Sequence, residues 1–393
     1  MRFFSIFILF CAILIFQSSP SHAENISPVK NLHLLGPNVD PISKQAWILI
    51  SEKKFDDAIN LCTDAISSDS SNANLFICRA RAYIKKGDTN QGMVDCDKAL
   101  ELNPDSSLAL YMRGMTYYDL FEYDTALLDI NQAIELKPKW SWPLIGRGMI
   151  YQGKGNDNLA LEDFDKAIKL DPGEEYAYGA RAYYFAYNKE YDKALEDIQK
   201  GMKINPQSAD LYITRSYVYR FKENNQLAIK DLSKAIELDP KSFLAYTQRA
   251  ALYFIAKDYG KVIADCNKAL DLNPLDKDAL YFRGSSYGQI GDCEKAIDDF
   301  NKILEMDPKY KAAYYARAYC YEKTGKLQKA LDDYHEISRI EKTDMYVLPN
   351  ILKAYFRIFL HYFLYTLLAL VVIIFISVYI YKTNVRKKKA KTP

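Results

Sequence analysis

The sequence predicts an all-α fold built from stacked pairs of helices, and three regularities support this prediction. Prolines recur with a constant stride of 34 residues, small and aromatic side chains recur at set places between them, and arginine and aspartate each recur at one place. A fixed period of this length indicates a repeat architecture, in which each repeat covers an apolar face left open by its neighbour. We therefore predict one elongated array in place of several separate domains.

The recurring prolines predict where each repeat ends. They are Pro104, Pro138, Pro172, Pro206, Pro240, Pro274 and Pro308. Proline has no N–H and disfavours α geometry in the residue before it, so each of them ends a helix. With proline at place 32, repeats 1 to 9 are residues 39–72, 73–106, 107–140, 141–174, 175–208, 209–242, 243–276, 277–310 and 311–344. Repeats 1 and 9 lack this proline, as expected of the ends of an array.

The sizes of other recurring side chains predict how two helices pack within a repeat. Place 8 is small in all eight full repeats, and places 20 and 27 are alanine in most of them. Place 11 is aromatic in every full repeat; in repeat 8, places 8, 20 and 11 hold Gly284, Ala296 and Tyr287. Small side chains let two antiparallel helices approach closely, and the aromatic ring fills the space beside them.

This pattern closely resembles the tetratricopeptide repeat over residues 73–344, with a degenerate repeat in front. The resemblance implies a right-handed superhelical solenoid of antiparallel helix pairs that binds other proteins. In that family, the concave surface is lined by the first helix of each pair near places 2, 5, 9 and 12. Some members hold a carboxylate there with lysines and asparagines, but this chain lacks them at the matching places, so that activity is not carried over.

At those places this chain carries mainly aromatic and methionine side chains. The predicted partner-binding groove consists of Tyr111, Met115, Tyr118, Trp142, Ile145, Met149, Tyr176, Tyr183, Tyr217, Phe254, Tyr281, Tyr315 and Tyr319. Tyrosine and tryptophan are favoured where a partner becomes buried, and methionine adapts to varied shapes. One hypothesis is a groove for a peptide or helix of another protein. The alternative is that these side chains pack against each other across a tight superhelix.

Two charged positions recur with opposite sign. Place 7 is arginine in all eight full repeats: Arg79, Arg113, Arg147, Arg181, Arg215, Arg249, Arg283 and Arg317. Place 23 is aspartate in all eight: Asp95, Asp129, Asp163, Asp197, Asp231, Asp265, Asp299 and Asp333. Because the two sets are equal in number and fixed in offset, we predict structural ion pairs, within a repeat or across to its neighbour. A basic ligand-binding stripe is the functional alternative.

The two ends of the chain predict export and anchoring. Residues 1–23 have one positive charge, an apolar run and small residues ending at Ala23, which is typical of a signal peptide, and residues 24–38 form a leader. Residues 345–357 read as a capping helix, and residues 358–381 carry no formal charge and suit a membrane-spanning helix. The basic tail 382–393 predicts a single-pass protein, with repeats in the periplasm or endoplasmic-reticulum lumen and the tail in the cytosol.

The cysteines are compatible with disulfides in an exported protein. Cys62 and Cys78 lie in consecutive repeats, as do Cys293 and Cys320, and antiparallel stacking of helices could bring each pair together. Both bridges are therefore possible, whereas Cys96 and Cys266 occupy an apolar place and read as buried thiols.

Composition and motifs exclude several classes of function. Between residues 3 and 344 there are 43 basic and 50 acidic residues, which does not fit a nucleic-acid binder. The four histidines are far apart, so we predict no metal site and no catalytic residues, and no glycine-rich phosphate loop occurs. We expect no cofactor and no small-molecule substrate.

Two functional classes remain open from the sequence. The first is a membrane-anchored scaffold that binds a partner protein in the groove and assists assembly of a complex. The second is a chaperone-like holder of exported, unfolded clients. Selectivity separates them, because a scaffold binds one or two defined partners and a holder binds many.

Overall fold

The computed structural model describes residue 35, residues 39–341 and residues 347–389, and within those ranges the secondary structure is helical, without strands. The helices are α1 (Pro41–Ser51), α2 (Phe55–Ser68), α3 (Ala73–Lys86), α4 (Thr89–Leu102), α5 (Ser107–Asp119), α6 (Tyr123–Leu136), α7 (Ser141–Gly153), α8 (Asp157–Leu170), α9 (Glu175–Tyr187), α10 (Tyr191–Ile204), α11 (Ala209–Phe221), α12 (Asn225–Leu238), α13 (Phe243–Ile255), α14 (Tyr259–Leu272), α15 (Lys277–Ile290), α16 (Cys293–Met306), α17 (Lys311–Lys323), α18 (Leu327–Ile340) and α19 (Val347–Lys389). The predicted all-α solenoid of helix pairs is confirmed, with one pair in each predicted repeat.

The chain divides into two compact units, one ending at Leu252 and the other beginning at Tyr253. In the first unit, a hydrophobic core runs from Leu35 to Val218 through successive helix pairs. A further cluster joins α11, α12 and α13 in the same unit. In the second unit, α17 and α18 share a cluster with the beginning of α19.

Small residues set the distance between the two helices of a pair. Ala126, Ala133 and Ala160 are fully buried, and each sits on the second helix of its pair. At Gly148 on α7, an added Cβ would lie 2.6 Å from Cε1 of Phe164 on α8. The packing therefore has no room for even one methyl group at this contact.

The turn between the two helices repeats as well. Place 15 has a positive φ in each of the nine repeats, whether the residue is Gly87 (φ 93°), Phe121 (φ 62°) or Lys53 (φ 57°). This left-handed residue ends the first helix, and glycine adopts it without the steric cost that a Cβ brings. The conformation is thus imposed by the helix pair, since five of the nine positions hold a residue other than glycine.

Two distant parts of the first unit are joined by an ion pair. Lys53, in the turn between α1 and α2, pairs through Nζ with Oδ1 of Asp239, at the end of α12. The two residues are 186 positions apart in the chain. Within this unit, the stack of helix pairs therefore curves far enough for repeat 1 to meet the end of repeat 6.

The beginning of α19 covers repeat 9 in the second unit. Val347 and Ala354 are buried there, and Ile351 and Ile358 pack against the same cluster. Arg357 Nη1 donates to Oε2 of Glu322 at 2.8 Å, which adds a polar contact to the apolar one. The capping segment is therefore held to the last repeat by both kinds of interaction.

The prediction of a separate membrane-spanning helix at residues 358–381 is wrong. Across the ranges that the structure describes, no helix is both long enough and apolar enough to cross a bilayer. The apolar run is not an element of its own, because it continues α19, and Ile358 takes part in packing on the last repeat. This finding also contradicts the predicted membrane anchorage and single-pass location. The predicted signal peptide, most of the leader and the last four residues of the tail lie outside the described residues.

The tight contact at Gly148 leads to a stability prediction. Replacing Gly148 by alanine pushes a methyl group into the ring of Phe164 and should cost about 1–3 kcal/mol, lowering the thermal midpoint followed by circular dichroism. Gly260→Ala is the matched control, since its Cβ would meet nothing closer than 3.9 Å in α14. Alanine is the better helix former, so the control should hold or raise stability. Equal midpoints for the two variants would contradict the close packing of α7 on α8.

Candidate protein-interaction surface

The recurring arginines and aspartates face each other within repeats. In repeat 3, Arg113 Nε and Nη2 donate to the two carboxylate oxygens of Asp129 at 2.7 and 2.8 Å. The same two-bond geometry recurs in repeats 2, 4, 5, 6, 8 and 9. Arg249 and Asp265 fall in different compact units, and their pairing stays a prediction. Parallel N–H···O bonds of this kind fix orientation as well as charge.

The third nitrogen of each arginine reaches the previous repeat. Arg113 Nη1 donates to Oδ1 of Asp97 at 2.8 Å, and Arg147 Nη1 donates to Oδ1 of Asn131 at 2.8 Å. The acceptor stands at place 25, where every repeat from 1 to 8 carries an oxygen-bearing side chain. Sequence reasoning missed this position, although the recurrence of polar acceptors there was a usable signal. In repeat 6 the contact differs, since Nη1 of Arg215 meets Sδ of Met202.

The arginine–aspartate pairs lie in a largely buried environment between the helices. The aspartates are buried, with Asp163 and Asp197 each 2% exposed, while the arginines keep only part of their guanidinium in water. The hydrogen bonds that Arg79 donates to the carboxylate of Asp95 raise the pKa of Arg79 above its ordinary value. Because each of these arginines is bound on two sides, it links its own repeat to the previous one.

The six cysteines in the described ranges are buried free thiols, so neither predicted disulfide is present in the structure. Desolvation raises the pKa of Cys62 to about 12 and raises that of Cys78 well above its usual value. The predicted partners are neighbours nonetheless: a side-chain hydrogen bond links Cys320 to Cys293. The predicted Cys293–Cys320 disulfide is therefore absent, although the stacking of helices does bring these two cysteines together.

We define the first-helix surface as the side chains at places 2, 5, 9 and 12 on the first helix of each pair. The predicted groove residues belong to it. In repeats 3 and 4 they are almost fully buried, with Tyr111 at 1%, Met115 at 0%, Trp142 at 2% and Ile145 at 1% exposed. Met149, Phe254 and Tyr281 are buried too. The half-buried members are Tyr118, Tyr176, Tyr183, Tyr217, Tyr315 and Tyr319.

Aromatic contacts continue from one repeat to the next along this surface in the first unit. The rings of Trp142 and Tyr176 stack at a centroid distance of 4.9 Å and 8° between planes. The ring of Tyr111 meets Trp140 edge-on at 5.1 Å. Trp142 Nε1 donates to Oε2 of Glu174 at 3.2 Å, which satisfies the indole N–H inside the cluster. Trp140 and Glu174 lie at place 34, next to the predicted positions, and were not among them.

Repeats 5 and 6 keep part of this surface accessible. Tyr183 and Tyr217 meet edge-on with ring centroids 5.8 Å apart, and both remain half-buried. The guanidinium of Arg220 lies 5.7 Å from the ring centroid of Tyr217. Burial raises the pKa of Tyr183 to about 12, so its hydroxyl stays neutral and able to donate. This combination of half-exposed rings beside a cation is suited to contact with another protein chain.

The second unit has a smaller counterpart. Tyr281 is 4% exposed and packs against Phe282 and Phe300. Tyr315 and Tyr319 are half-buried, and Nζ of Lys323 lies 5.4 Å from the ring centroid of Tyr319. Within the described part of the chain, no three side chains of the metal-ligating types His, Cys, Asp and Glu come together.

This architecture defines the class of protein as an α-solenoid of antiparallel helix pairs. Models of the tetratricopeptide repeat match residues 79–106, 108–139, 144–174 and 209–242, and a second model of that repeat matches residues 281–338. The repeats in these segments therefore match the tetratricopeptide repeat.

Similar proteins share parts of the chain. It is 40% identical over 70 residues to Hsc70-interacting protein 1 of Drosophila melanogaster, which is 18% of this chain and 19% of that protein. It is 38% identical over 82 residues to the protein SGT1 homolog of Oryza sativa subsp. japonica, 21% of this chain and 22% of that protein. The chain thus spans about a fifth of the length of these relatives.

One solved structure is similar over most of the chain. A crystal structure of the APC/C hetero-tetramer Cut9-Hcn1 aligns with a TM-score of 0.57 and 18% sequence identity, covering 85% of this chain and 63% of that chain. At this identity the likeness shows the fold alone.

The buried ion pairs lead to a second stability prediction. Asp163→Asn leaves the guanidinium of Arg147 without its anion at a buried contact and should cost about 3 kcal/mol in the free energy of unfolding. The adjacent Glu162→Gln removes only an exposed pair with Lys166 and should cost less than about 1 kcal/mol. Urea unfolding measures both. If the two variants cost the same, the pairs do not hold the repeats together.

The thiols lead to a prediction about reactivity. At about pH 8, alkylation of Cys62, Cys78, Cys293 and Cys320 should be very slow in the native protein, because they are buried and little thiolate forms. After denaturation without reductant, peptide mapping should find all of them alkylated. Recovery of a linked pair of peptides would show that a disulfide forms in solution.

Proposed function

We propose that this protein is a scaffold that binds a segment of another protein along the first-helix surface of repeats 5 and 6. The observation that carries the proposal is the half-buried pair Tyr183 and Tyr217, whose rings meet across consecutive repeats beside Arg220. Tyrosine and arginine are enriched at protein interfaces, because each combines a large apolar body with a polar end.

The surface fits an extended peptide or a single helix. Tyr183 and Tyr217 stand at place 9 of neighbouring repeats, so these two rings follow one another along the stack. Tyr176, at place 2 of the same repeat as Tyr183, extends the strip toward Trp142 of the previous repeat, on which it stacks. A linear strip of this kind matches a linear segment better than a broad, flat protein face.

The names of the relatives suggest a partner to test first. Hsc70-interacting protein 1 is named for interacting with Hsc70, and it is 40% identical to this chain over 70 residues. A chaperone of that class is therefore one arm of the test. The shared part is about a fifth of that protein, and the rest of its activity does not transfer.

The proposal predicts position-specific crosslinking. A benzophenone amino acid at Tyr183 should capture one or two defined proteins on illumination, identified by mass spectrometry, with purified Hsc70 tested in parallel. The control places the same probe at Leu128 on α6, which is 71% exposed and on the second helix of its pair. Capture of many unfolded clients at Tyr183 would favour the chaperone-like holder instead.

Binding of the captured partner then tests the side chains. Tyr183→Ala and Tyr217→Ala should each weaken the affinity for the purified partner segment about tenfold or more, as expected of central aromatic contacts. Leu128→Ala should leave it unchanged. If neither tyrosine matters, partner binding lies elsewhere on the chain and the proposed surface is wrong.

A further inference from the structure

The beginning of α19 continues the repeat register as the first helix of a tenth unit. Counting on from repeat 9, place 1 of this unit is residue 345, so Val347 stands at place 3 and Ala354 at place 10. Both are buried, as the residues at places 3 and 10 are in all eight full repeats. The beginning of α19 therefore packs on repeat 9 as the first helix of each repeat packs on the repeat before it.

This tenth unit lacks a second helix. In the full repeats, places 8 and 11 face the second helix of the same repeat: Gly148 meets Phe164 of α8, and Nζ of Lys295 on α16 lies 5.3 Å from the ring centroid of Tyr287. The helix α19 runs from Val347 to Lys389 without a turn, so in the described part of the chain no second helix folds back on it. The side of α19 that would meet such a helix is left uncovered.

The uncovered side is apolar. It carries Leu348, Leu352, Tyr355 and Phe359, which are 62%, 60%, 50% and 64% exposed and which we call the tenth-unit face. Their spacing of four, three and four residues keeps them on one side of the helix. The ring of Tyr355 meets His335 of α18 edge-on, with centroids 6.3 Å apart, and half of its surface stays accessible.

The spacing of the tenth-unit face is the same in both directions along the helix. When two copies of α19 pack antiparallel, Leu348 lies opposite Phe359 and Leu352 lies opposite Tyr355, so each aliphatic side chain meets an aromatic ring. A parallel arrangement would instead place identical residues together and bring the basic residues 386–389 of both copies side by side. The pattern of sizes and charges therefore favours the antiparallel arrangement.

The tenth-unit face and its surroundings have the size that a small dimer interface needs. With about 100 Å² accessible on each half-exposed large side chain, the face together with the adjoining Phe356 and Leu360 offers about 600 Å² per copy. Stable protein–protein interfaces begin at about 1,200 Å² in total. The nearby cations do not oppose the pairing, because Lys353 and Arg357 donate to Glu322 of their own chain.

We propose that the tenth-unit face binds the same face of a second copy of this chain, antiparallel, with a twofold axis between Leu352 and Tyr355. The α19 helix of each copy takes the place of the second helix that the tenth unit of the other copy lacks. The proposal concerns the second unit and does not depend on partner binding by repeats 5 and 6.

Sedimentation velocity of the full chain tests the proposal. The unaltered chain should sediment as a dimer in the micromolar range, and Leu352→Glu should weaken the self-association about tenfold or more, because it buries a charge at the centre of the interface. The matched control is Ile290→Glu, which should leave the dimer unchanged, since Ile290 is 58% exposed at the end of α15 in the same unit. Circular dichroism checks that both variants keep the fold.

Two outcomes of this measurement would overturn the proposal. One is a monomer at every concentration, which would leave the face to a helix of a different protein. The other is a dimer that is equally stable with Leu352→Glu.

Disulfide trapping tests the orientation. Leu348→Cys and Phe359→Cys chains, mixed and oxidised by air with a copper catalyst, should form a linked dimer with one chain of each, because antiparallel packing brings their Cα atoms within the about 7 Å that a disulfide spans. Each variant oxidised alone should stay largely unlinked, since its two thiols would lie about 16 Å apart along the helix. The native thiols of the described residues are buried and should not interfere.

Mass spectrometry of the linked peptides identifies which chains are joined. A linked dimer in the mixture alone supports the antiparallel pairing. Linking of each variant with itself at the rate of the mixture, or no linked dimer in the mixture, would overturn it.

Discussion

The structure depends on one polar contact that recurs in seven of the nine repeats. An arginine on the first helix of a repeat binds a buried aspartate on the second helix with two nitrogens and an acceptor of the previous repeat with the third, as Arg113 binds Asp129 and Asp97. Leaving a buried carboxylate unpaired is costly, so the pairs disfavour any arrangement in which the helices shift past one another. The apolar core supplies most of the attraction, and these contacts specify the register in which it packs.

Small side chains supply the complementary constraint. Glycine or alanine at the closest approach brings two helices so near that Phe164 already occupies the space where a Cβ of Gly148 would stand. The small side chains set the distance between the two helices, and the ion pairs set their register. Each helix pair is therefore a nearly rigid block. The side chains on the first helices are then carried at constant intervals, as the proposed binding of a linear partner segment requires.

The same regularity makes differences between repeats informative. Equivalent positions can differ in exposure, as the buried Met115 and the half-buried Tyr183 do at place 9. In repeats 5 and 6, the half-buried side chains Tyr183, Tyr217 and Arg220 lie together. A repeat array can in this way bury most members of a set of equivalent positions and leave others accessible.

The sequence alone determined the all-α fold, the boundaries suggested by Pro104 and its counterparts, and the positions that face each other across a pair, because a constant stride leaves only one way to stack identical helices. It did not determine how the arginines divide their nitrogens between repeats, since that depends on the distance across an interface. Nor did it determine whether Tyr111 and Trp142 are open to a partner or buried, which depends on how closely the neighbouring repeats pack around them.

The C-terminal segment and the cysteines show the same limit. The sequence predicted that the apolar run at residues 358–381 is a separate membrane-spanning element. In the tertiary structure, this run continues a helix that Val347 and Ile358 hold against the last repeat. Spacing brought Cys293 and Cys320 together correctly and could not decide the state of their thiols. The repeat period and the sizes of the side chains are present in the sequence itself. Which side chains are buried, and which thiols or charges bond to one another, is decided only when the repeats pack together.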